Sequence, residues 1–141
     1  MSTQPFVIER VYAAPVQKVW EAITVNEKMK QWYFDLAEFK PEVGFEFEFT
    51  AGDDKFQYRH LCRVTKVVEG SVIAYTWRYD GYEGDSEVTW ELSPEGEGTK
   101  LVLTHTGLET FPPIDAFKKE NFVAGWTHIT GISLKDFLEK V

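Results

Sequence analysis

The spacing of hydrophobic residues changes from strand-like to helix-like and back along the chain. Phe6 to Ala13 has the mixed pattern of a strand. Hydrophobic residues at helical spacing follow at Val16, Val19, Trp20 and Ile23. Pro15 suits the start of this helix, because its fixed φ is helical and its missing N–H would be unpaired there. We predict a second short helix with Asn26 as its N-cap. Its buried side holds Met29, Trp32 and Tyr33.

From Phe45 onward, hydrophobic residues alternate with polar ones, as in strands with one buried face. In GFEFEFT the three phenylalanines, Phe45, Phe47 and Phe49, share one face. Later runs place their larger side chains together: Ile73, Tyr75, Trp77 and Tyr79; Val88, Trp90 and Leu92; Leu101, Leu103 and His105. Short turns such as Gly52-Asp53-Asp54 separate the runs. We predict one curved antiparallel sheet of about six to seven strands.

The run from Phe56 to Val68 is the least regular of these strands. Tyr58, His60 and Cys62 share one face, whereas Leu61 and Val67 favour the opposite one. We assign the first face to the interior.

The chain ends in NFVAGWTHITGISLKDFLEKV, which has helical periodicity but contains two glycines and several β-branched residues. At about 100° per residue, one face holds Phe122, Trp126, Ile129, Ser133 and Phe137. Only this element is long enough to cover the sheet, so we expect it to pack there. We predict that Gly125 allows close approach of neighbouring backbone and that Gly131 marks a bend. Such poor helix formers indicate a helix held by packing.

Composition narrows the class of protein. The chain has 141 residues, enough for a hydrophobic core, and we take residues 1–141 as a single domain. Aromatic residues make up 16% of it, more than such a core requires, which suggests that some rings line a cavity. The net charge of −8 argues against nucleic acid or an anionic membrane as a partner.

The redox and targeting signals predict a cytoplasmic protein. Cys62 is the only cysteine, which excludes an internal disulfide and fits a reducing compartment. The N-terminus has no basic segment followed by an apolar run, and no apolar stretch approaches about 18 residues. We therefore expect neither a signal peptide nor a membrane span.

Histidine and cysteine are the candidates for metal binding or nucleophilic catalysis. His60 and Cys62 form only an H-x-C pair, His105 is distant in sequence, and the helical wheel turns His128 to solvent, so we expect no metal site. No oxyanion-binding loop adjoins Cys62, which favours a buried inert thiol. The chain contains no phosphate-binding glycine loop, and we expect no cofactor.

A few polar side chains, namely His60, His105, Tyr75 and Ser133, are predicted to face inward among apolar ones. Ligand pockets are typically apolar with a small number of placed polar groups. The predicted cavity residues are Trp32, Phe47, Tyr58, His60, Tyr75, Trp77, Trp90, His105, Phe122, Trp126, Ile129 and Ser133. The alternative interpretation is that the polar ones are half-exposed sheet residues with satisfied hydrogen bonds.

Local strings over nearly the whole chain resemble one family. ERVYAAPVQKVWEAIT is similar to its first strand and helix, and MKQWY to its short second helix. VIAYTW and VTWELSPEGEGTKLVLTHTGL resemble a central strand and the last hairpin, and AGW the start of the final helix. In this order they resemble the activator of heat-shock-protein-90 ATPase homologue family, within the SRPBCC (START/Bet v 1-like) superfamily.

The resemblance implies an α+β helix-grip START/Bet v 1-like fold. In that fold a curved antiparallel sheet wraps a long C-terminal helix, two short helices follow strand 1, and an apolar cavity lies between sheet and helix. The resemblance also implies binding of lipids, sterols or polyketide-like aromatics, and some members are cyclases. HLCRV departs from the family, which commonly has glycine where Cys62 stands; this predicts a smaller bulge or a narrower cavity.

Our first hypothesis is a non-enzymatic domain that binds an apolar or aromatic small molecule. The alternatives are a chaperone-associated interaction module in a stress response, and a cyclase or dehydratase that uses His60 or His105 as general acid or base. Family members that stimulate the chaperone carry an additional N-terminal domain, whereas this chain begins at the first strand, which argues against chaperone activation. The sequence is compatible with a monomer or a homodimer.

Overall fold

The computed structural model of the chain describes residues 5–33, 38–52, 57–112, 114, 117 and 119–139. Its strands are β1 (Phe6–Tyr12), β2 (Glu46–Gly52), β3 (Gln57–Val68), β4 (Val72–Tyr79), β5 (Ser86–Glu95) and β6 (Gly98–Thr106). Its helices are α1 (Val16–Thr24), α2 (Asn26–Trp32), α3 (Lys119–His128) and α4 (Leu134–Glu139). A π-turn (Ile129–Ser133) joins α3 to α4, and we call these three segments together the C-terminal helix. Asp53 and Asp54 of the predicted turn, and Phe56, lie outside the described residues.

The described strands form one antiparallel sheet in the order β1-β6-β5-β4-β3-β2. From β2 to β6 the chain runs as a meander in which each strand pairs with the next. The C-terminal helix lies on the apolar face of this sheet, and α1 and α2 follow β1. The predicted α+β fold, with its sheet, two short helices and long final helix, is confirmed.

A bulge in β3 accounts for the mixed pattern of that strand. His60, Cys62 and Val64 are buried on the inner face, as predicted for the first two. The pairing with β4 shifts register between Val64 and Lys66. A bulge adds one residue and exchanges the faces beyond it, so Val67 packs against the core from an odd-numbered position.

The start of α2 differs from the prediction. Val25, not Asn26, is the residue that precedes the helix, and no side chain caps it. Asn26 is the first helical residue, and its Oδ1 is buried with no hydrogen-bond partner among the described residues. At the other end of α2, Trp32 Nε1 donates to the carbonyl oxygen of Ala22 at 2.9 Å, which fixes the indole against α1.

The π-turn changes which face of the C-terminal helix is buried. Its buried residues are four apart: Phe122, Trp126, Thr130, Leu134 and Leu138. A regular helix would bury Ile129, Ser133 and Phe137 after Trp126, and these are only half-buried. The π-turn inserts one extra residue, so every position beyond it moves on by one. The predicted face is therefore correct up to Trp126 and wrong by one residue after it.

The two glycines of this helix differ in their surroundings. A Cβ on Gly125 would meet no atom within 4 Å, so the predicted close approach of backbone is wrong. Gly131 lies inside the π-turn, and a Cβ there would be 3.2 Å from Nη2 of Arg10. The guanidinium of Arg10 therefore occupies the space that a side chain at position 131 would fill.

We expect Gly125→Ala to raise the free energy of unfolding by up to about 1 kcal/mol, because alanine is the better helix former. Gly131→Ala should gain clearly less, since its methyl group presses on Arg10. Urea denaturation of both variants beside the parent chain measures the difference. Equal stabilisation by the two substitutions would contradict the packing of Arg10 on Gly131.

Candidate functional site

The predicted cavity residues lie in the layer between the sheet and the C-terminal helix. Buried there are Trp32, Phe47, His60, Tyr75, Trp77, Trp90, His105, Phe122 and Trp126. Tyr58, Ile129 and Ser133 are half-buried. Ring contacts link many of the buried side chains: the Trp126 ring lies 5.7 Å from that of Trp90 and 5.3 Å from that of Trp77. We call this set of residues the aromatic layer.

A directed chain of hydrogen bonds crosses the aromatic layer from the helix to the sheet. Trp126 Nε1 donates to Nδ1 of His105 at 3.0 Å. Since Nδ1 accepts, the proton of the neutral ring is on Nε2, which donates to Ser86 Oγ at 2.8 Å. The Ser86 hydroxyl in turn donates to the carbonyl oxygen of Trp77. The Trp126 indole thus fixes the tautomer of His105.

His105 and Ser86 resemble a serine–histidine pair but have the wrong polarity for nucleophilic catalysis. A general base needs an unprotonated nitrogen facing the hydroxyl, and Nε2 carries the proton here. Burial lowers the pKa of His105 to about 3. The imidazole is consequently neutral at physiological pH and acts as a polar contact within apolar surroundings.

His60 is a second neutral imidazole in the aromatic layer. Burial lowers its pKa to about 4, against the smaller opposing effect of hydrogen bonds to the backbone of Tyr58 and Phe49. Its Nδ1 is 2.9 Å from the carbonyl oxygen of Tyr58. The ring stacks on Phe49 with centroids 4.4 Å apart. His60 therefore offers an apolar face as well as polar nitrogens.

A second hydrogen-bonded group lies toward α2. Trp90 Nε1 donates to the hydroxyl of Tyr75 at 3.0 Å, and that hydroxyl is 2.9 Å from the hydroxyl of Tyr33. On the neighbouring strand, Trp77 Nε1 donates to Tyr79 Oη at 3.0 Å. Burial is the main cause that raises the pKa of Tyr79 to about 12 and the pKa of Tyr75 still further, so both phenols stay protonated.

Residues 13–139 match the family model for activator of Hsp90 ATPase homolog 1-like proteins. The chain belongs to this family. No curated protein matches it at a significant level.

Solved structures share this fold over nearly the whole of this chain. Protein CV1439 of Chromobacterium violaceum is 26% identical, with a TM-score of 0.80 over 97% of this chain and 98% of that one. MLL2253 of Mesorhizobium loti is 26% identical, with a TM-score of 0.79 over 98% of each chain. CalU16 of Micromonospora echinospora is 25% identical, with a TM-score of 0.73 over 96% of this chain and 74% of that one.

Sequence reasoning missed four polar residues of this layer: Tyr33, Tyr79, Ser86 and Thr130. Ser86 could have been found, because it continues the alternation of Val88 and Trp90 by one step toward the N-terminus. Tyr33 and Tyr79 were predicted to be buried but were not assigned to the cavity. Thr130 could also have been found, because it lies four residues after Trp126 and residues at that spacing share a helix face.

Cys62 is buried, and burial raises the pKa of its thiol. The predicted burial of Cys62 is confirmed, and a thiol that stays protonated is a poor nucleophile. Among the described residues, no group of three or more His, Cys, Asp or Glu side chains is arranged to hold a metal ion. Within the same part of the chain, no helix is long and apolar enough to cross a membrane.

Two of the depressions that the described residues line lie outside the aromatic layer. One, of about 540 Å³, is on the outer face of β2, β3 and β4, where Leu61 forms part of the lining between Glu48 and Arg78. The other, of about 360 Å³, runs between β1 and the π-turn. Both are open to solvent and lined partly by charged side chains, so neither is the predicted apolar cavity.

Proposed function

We propose that this chain is a single cytoplasmic domain that binds a flat apolar molecule with one hydroxyl group in the aromatic layer. The observation that carries the proposal is the bond between Trp126 and His105. It joins the helix to the sheet inside a mostly apolar layer, and both partners are neutral. Apolar surroundings with a few placed polar groups are typical of small-molecule sites.

The irregular helix supports the proposal. The π-turn begins three residues after Trp126, and π-turns within helices are frequent at functional sites. A helix with two glycines relies on packing for its stability. A ligand that replaces part of this packing can therefore be accommodated by a shift of the helix away from the sheet.

The Trp126–His105 bond also indicates which polar group the ligand carries. A ligand that separates the two rings leaves a donor, Trp126 Nε1, and an acceptor, His105 Nδ1. A buried donor or acceptor without a partner costs about 1–3 kcal/mol. One hydroxyl group satisfies both, because it can accept from the indole and donate to the imidazole. A methyl ether can only accept.

2-Naphthol and its methyl ether, 2-methoxynaphthalene, test the proposal as a matched pair. We expect 2-naphthol to raise the melting temperature and shift the Trp126 indole resonance, and the ether to bind at least about tenfold more weakly. Trp126→Phe should reduce this preference, because it removes the donor. Ile132→Ser, an exposed change on the same helix, should leave it intact.

The proposal fails if a panel of flat aromatics, sterols and fatty acids alters neither the melting temperature nor the indole resonances. Equal binding of naphthol and ether would reject the hydroxyl specificity alone. Without a ligand both nitrogens of His105 are engaged, so a cyclase or dehydratase would have to displace Trp126 before His105 Nδ1 could act as a base.

The family description favours a second candidate, a protein that acts on an Hsp90-type chaperone. Here the partner would be a protein and the surface of the domain would matter more than its interior. Adding the purified chain to an Hsp90 chaperone and measuring ATP turnover tests this. Unchanged turnover together with no detectable complex would eliminate this candidate.

A further inference from the structure

The groove between β1 and the π-turn is lined by both charged and apolar side chains. Its lining includes Arg10, Val11, Thr127, Gly131, Ile132 and Lys135. It lies at the free edge of the sheet, since β1 is the outermost strand. Its volume of about 360 Å³ is at the small end of the range for ligand sites.

Arg10 is held in the groove with part of its guanidinium unused. Its Nε donates to Thr130 Oγ1 at 3.3 Å. Gly131 allows the guanidinium to lie against the helix, because Nη2, Nε and Cζ are all within 3.5 Å of where a Cβ would be. Among the described residues, no acceptor lies within hydrogen-bond distance of Nη1 or Nη2. The two Nη groups form a fork that suits a carboxylate.

Among the described residues, the other charged groups near the groove pair with one another, and no carboxylate pairs with Arg10. Lys135 is 2.8 Å from Glu139 Oε1, and that glutamate also accepts from the backbone N–H of Ala13 through Oε2. Glu9, next to Arg10 in β1, pairs with Lys100 at 3.5 Å. A positive site therefore persists on a protein whose net charge is −8.

Apolar side chains flank this cation. Val11 is 59% exposed and Ile132 is 52% exposed, and both line the groove. Exposed branched side chains beside an unpaired arginine are complementary to a molecule with an anionic head and a hydrocarbon tail. A simple inorganic anion would leave Val11 and Ile132 uncovered.

We propose that this groove is a binding site for a small organic carboxylate with an apolar tail, separate from the aromatic layer. The carboxylate bonds to the Nη groups of Arg10, and the tail covers Val11 and Ile132. Gly131 leaves room for the guanidinium, since a Cβ at that position would lie 3.2 Å from Nη2 and press on it.

Titration of the ¹⁵N-labelled full chain with octanoate tests the site. We expect saturable shifts of the amides of Val11, Gly131 and Ile132. Arg10→Gln should weaken binding at least about tenfold, because charge-assisted bonds are lost. Arg63→Gln is the matched control, because Arg63 lies on the outer face of the sheet and also has no ion pair among the described residues. This substitution should change the affinity for octanoate less than twofold.

Further variants and ligands in the same titration distinguish a carboxylate with an apolar tail from other molecules that could bind in the groove. Gly131→Ala and Ile132→Ser should each weaken octanoate binding, and Ile132→Ser provides the test if Arg10→Gln does not fold. 1-Octanol and inorganic phosphate should leave the groove amides unshifted. The proposal is overturned if 1-octanol or phosphate shifts these amides as strongly as octanoate does, or if Arg10→Gln binds octanoate like the parent chain. It is also overturned if the shifts depend on protein concentration alone, which would identify a second copy of the chain as the occupant.

Discussion

Acidification to pH 4 is expected to remove most of the stability of this domain. Burial lowers the pKa of His60 to about 4 and of His105 to about 3, from an ordinary value near 6.5. Between about pH 6.5 and these values the unfolded chain binds more protons than the folded one, so the free energy of unfolding decreases as the pH is lowered. The stabilisation is complete above about pH 6.5 and is lost progressively below it.

The magnitude follows from proton linkage. Each buried histidine lowers the free energy of unfolding by up to about 1.4 kcal/mol per pH unit. By pH 4 the loss is on the order of 3 kcal/mol for each, and the sum is comparable with the total stability of a typical domain. For His105 the structural event is specific, because protonation of Nδ1 removes the acceptor of the Trp126 bond.

Urea denaturation at several values between pH 7 and pH 5 checks this prediction, since most carboxyl groups remain ionised in that range. His105→Gln should reduce the slope of stability against pH by about 1 kcal/mol per unit. His128→Gln, at an exposed position, should leave the slope unchanged. A stability that is constant from pH 7 to pH 5 would show that the two imidazoles are not buried as described.

Replacing Leu134 by alanine should destabilise the domain by about 2–5 kcal/mol, as is usual for a fully buried leucine. Leu134 is 0% exposed, whereas Ile132, two residues earlier, is 52% exposed. Ile132→Ala is the matched control and should change the free energy of unfolding by no more than about 0.5 kcal/mol. Chemical denaturation of the two variants measures the contrast.

This comparison tests which face of the C-terminal helix is buried beyond the π-turn. Leu134 and Leu138 are buried because one extra residue precedes them. In an uninterrupted helix, Ser133 and Phe137 would take those places. Similar costs for Leu134→Ala and Ile132→Ala would mean that the buried face is not the one described.

Most of the fold is predictable from the periodicity of hydrophobic residues, and the positions where the prediction was wrong have definite physical causes. The inner faces of β4, β5 and β6 were predicted correctly because antiparallel strands with one buried face alternate strictly. The β3 bulge and the π-turn each add one residue. Such an insertion depends on tertiary packing, so a fixed period cannot locate it. The helix face was consequently misassigned beyond Trp126.

The residues of the candidate site could be predicted only in part from the sequence. Alternation alone placed His60, Tyr75 and His105 on the inner face. Their partners follow from contacts between distant segments, such as Trp126 with His105, which no local pattern specifies. The direction of each hydrogen bond, and with it the tautomer of His105, depends on those contacts.

The order of the strands has a consequence for how the chain folds. Phe6 lies opposite His105, so the β1–β6 pairing joins segments roughly a hundred residues apart. The other strand pairings join neighbours in sequence and close much shorter loops. Contacts between distant segments form slowly, because the loop entropy is lost before they stabilise the chain. During synthesis, β1, α1 and α2 leave the ribosome before β6, so the apolar side chains of β1 stay uncovered until β6 is made.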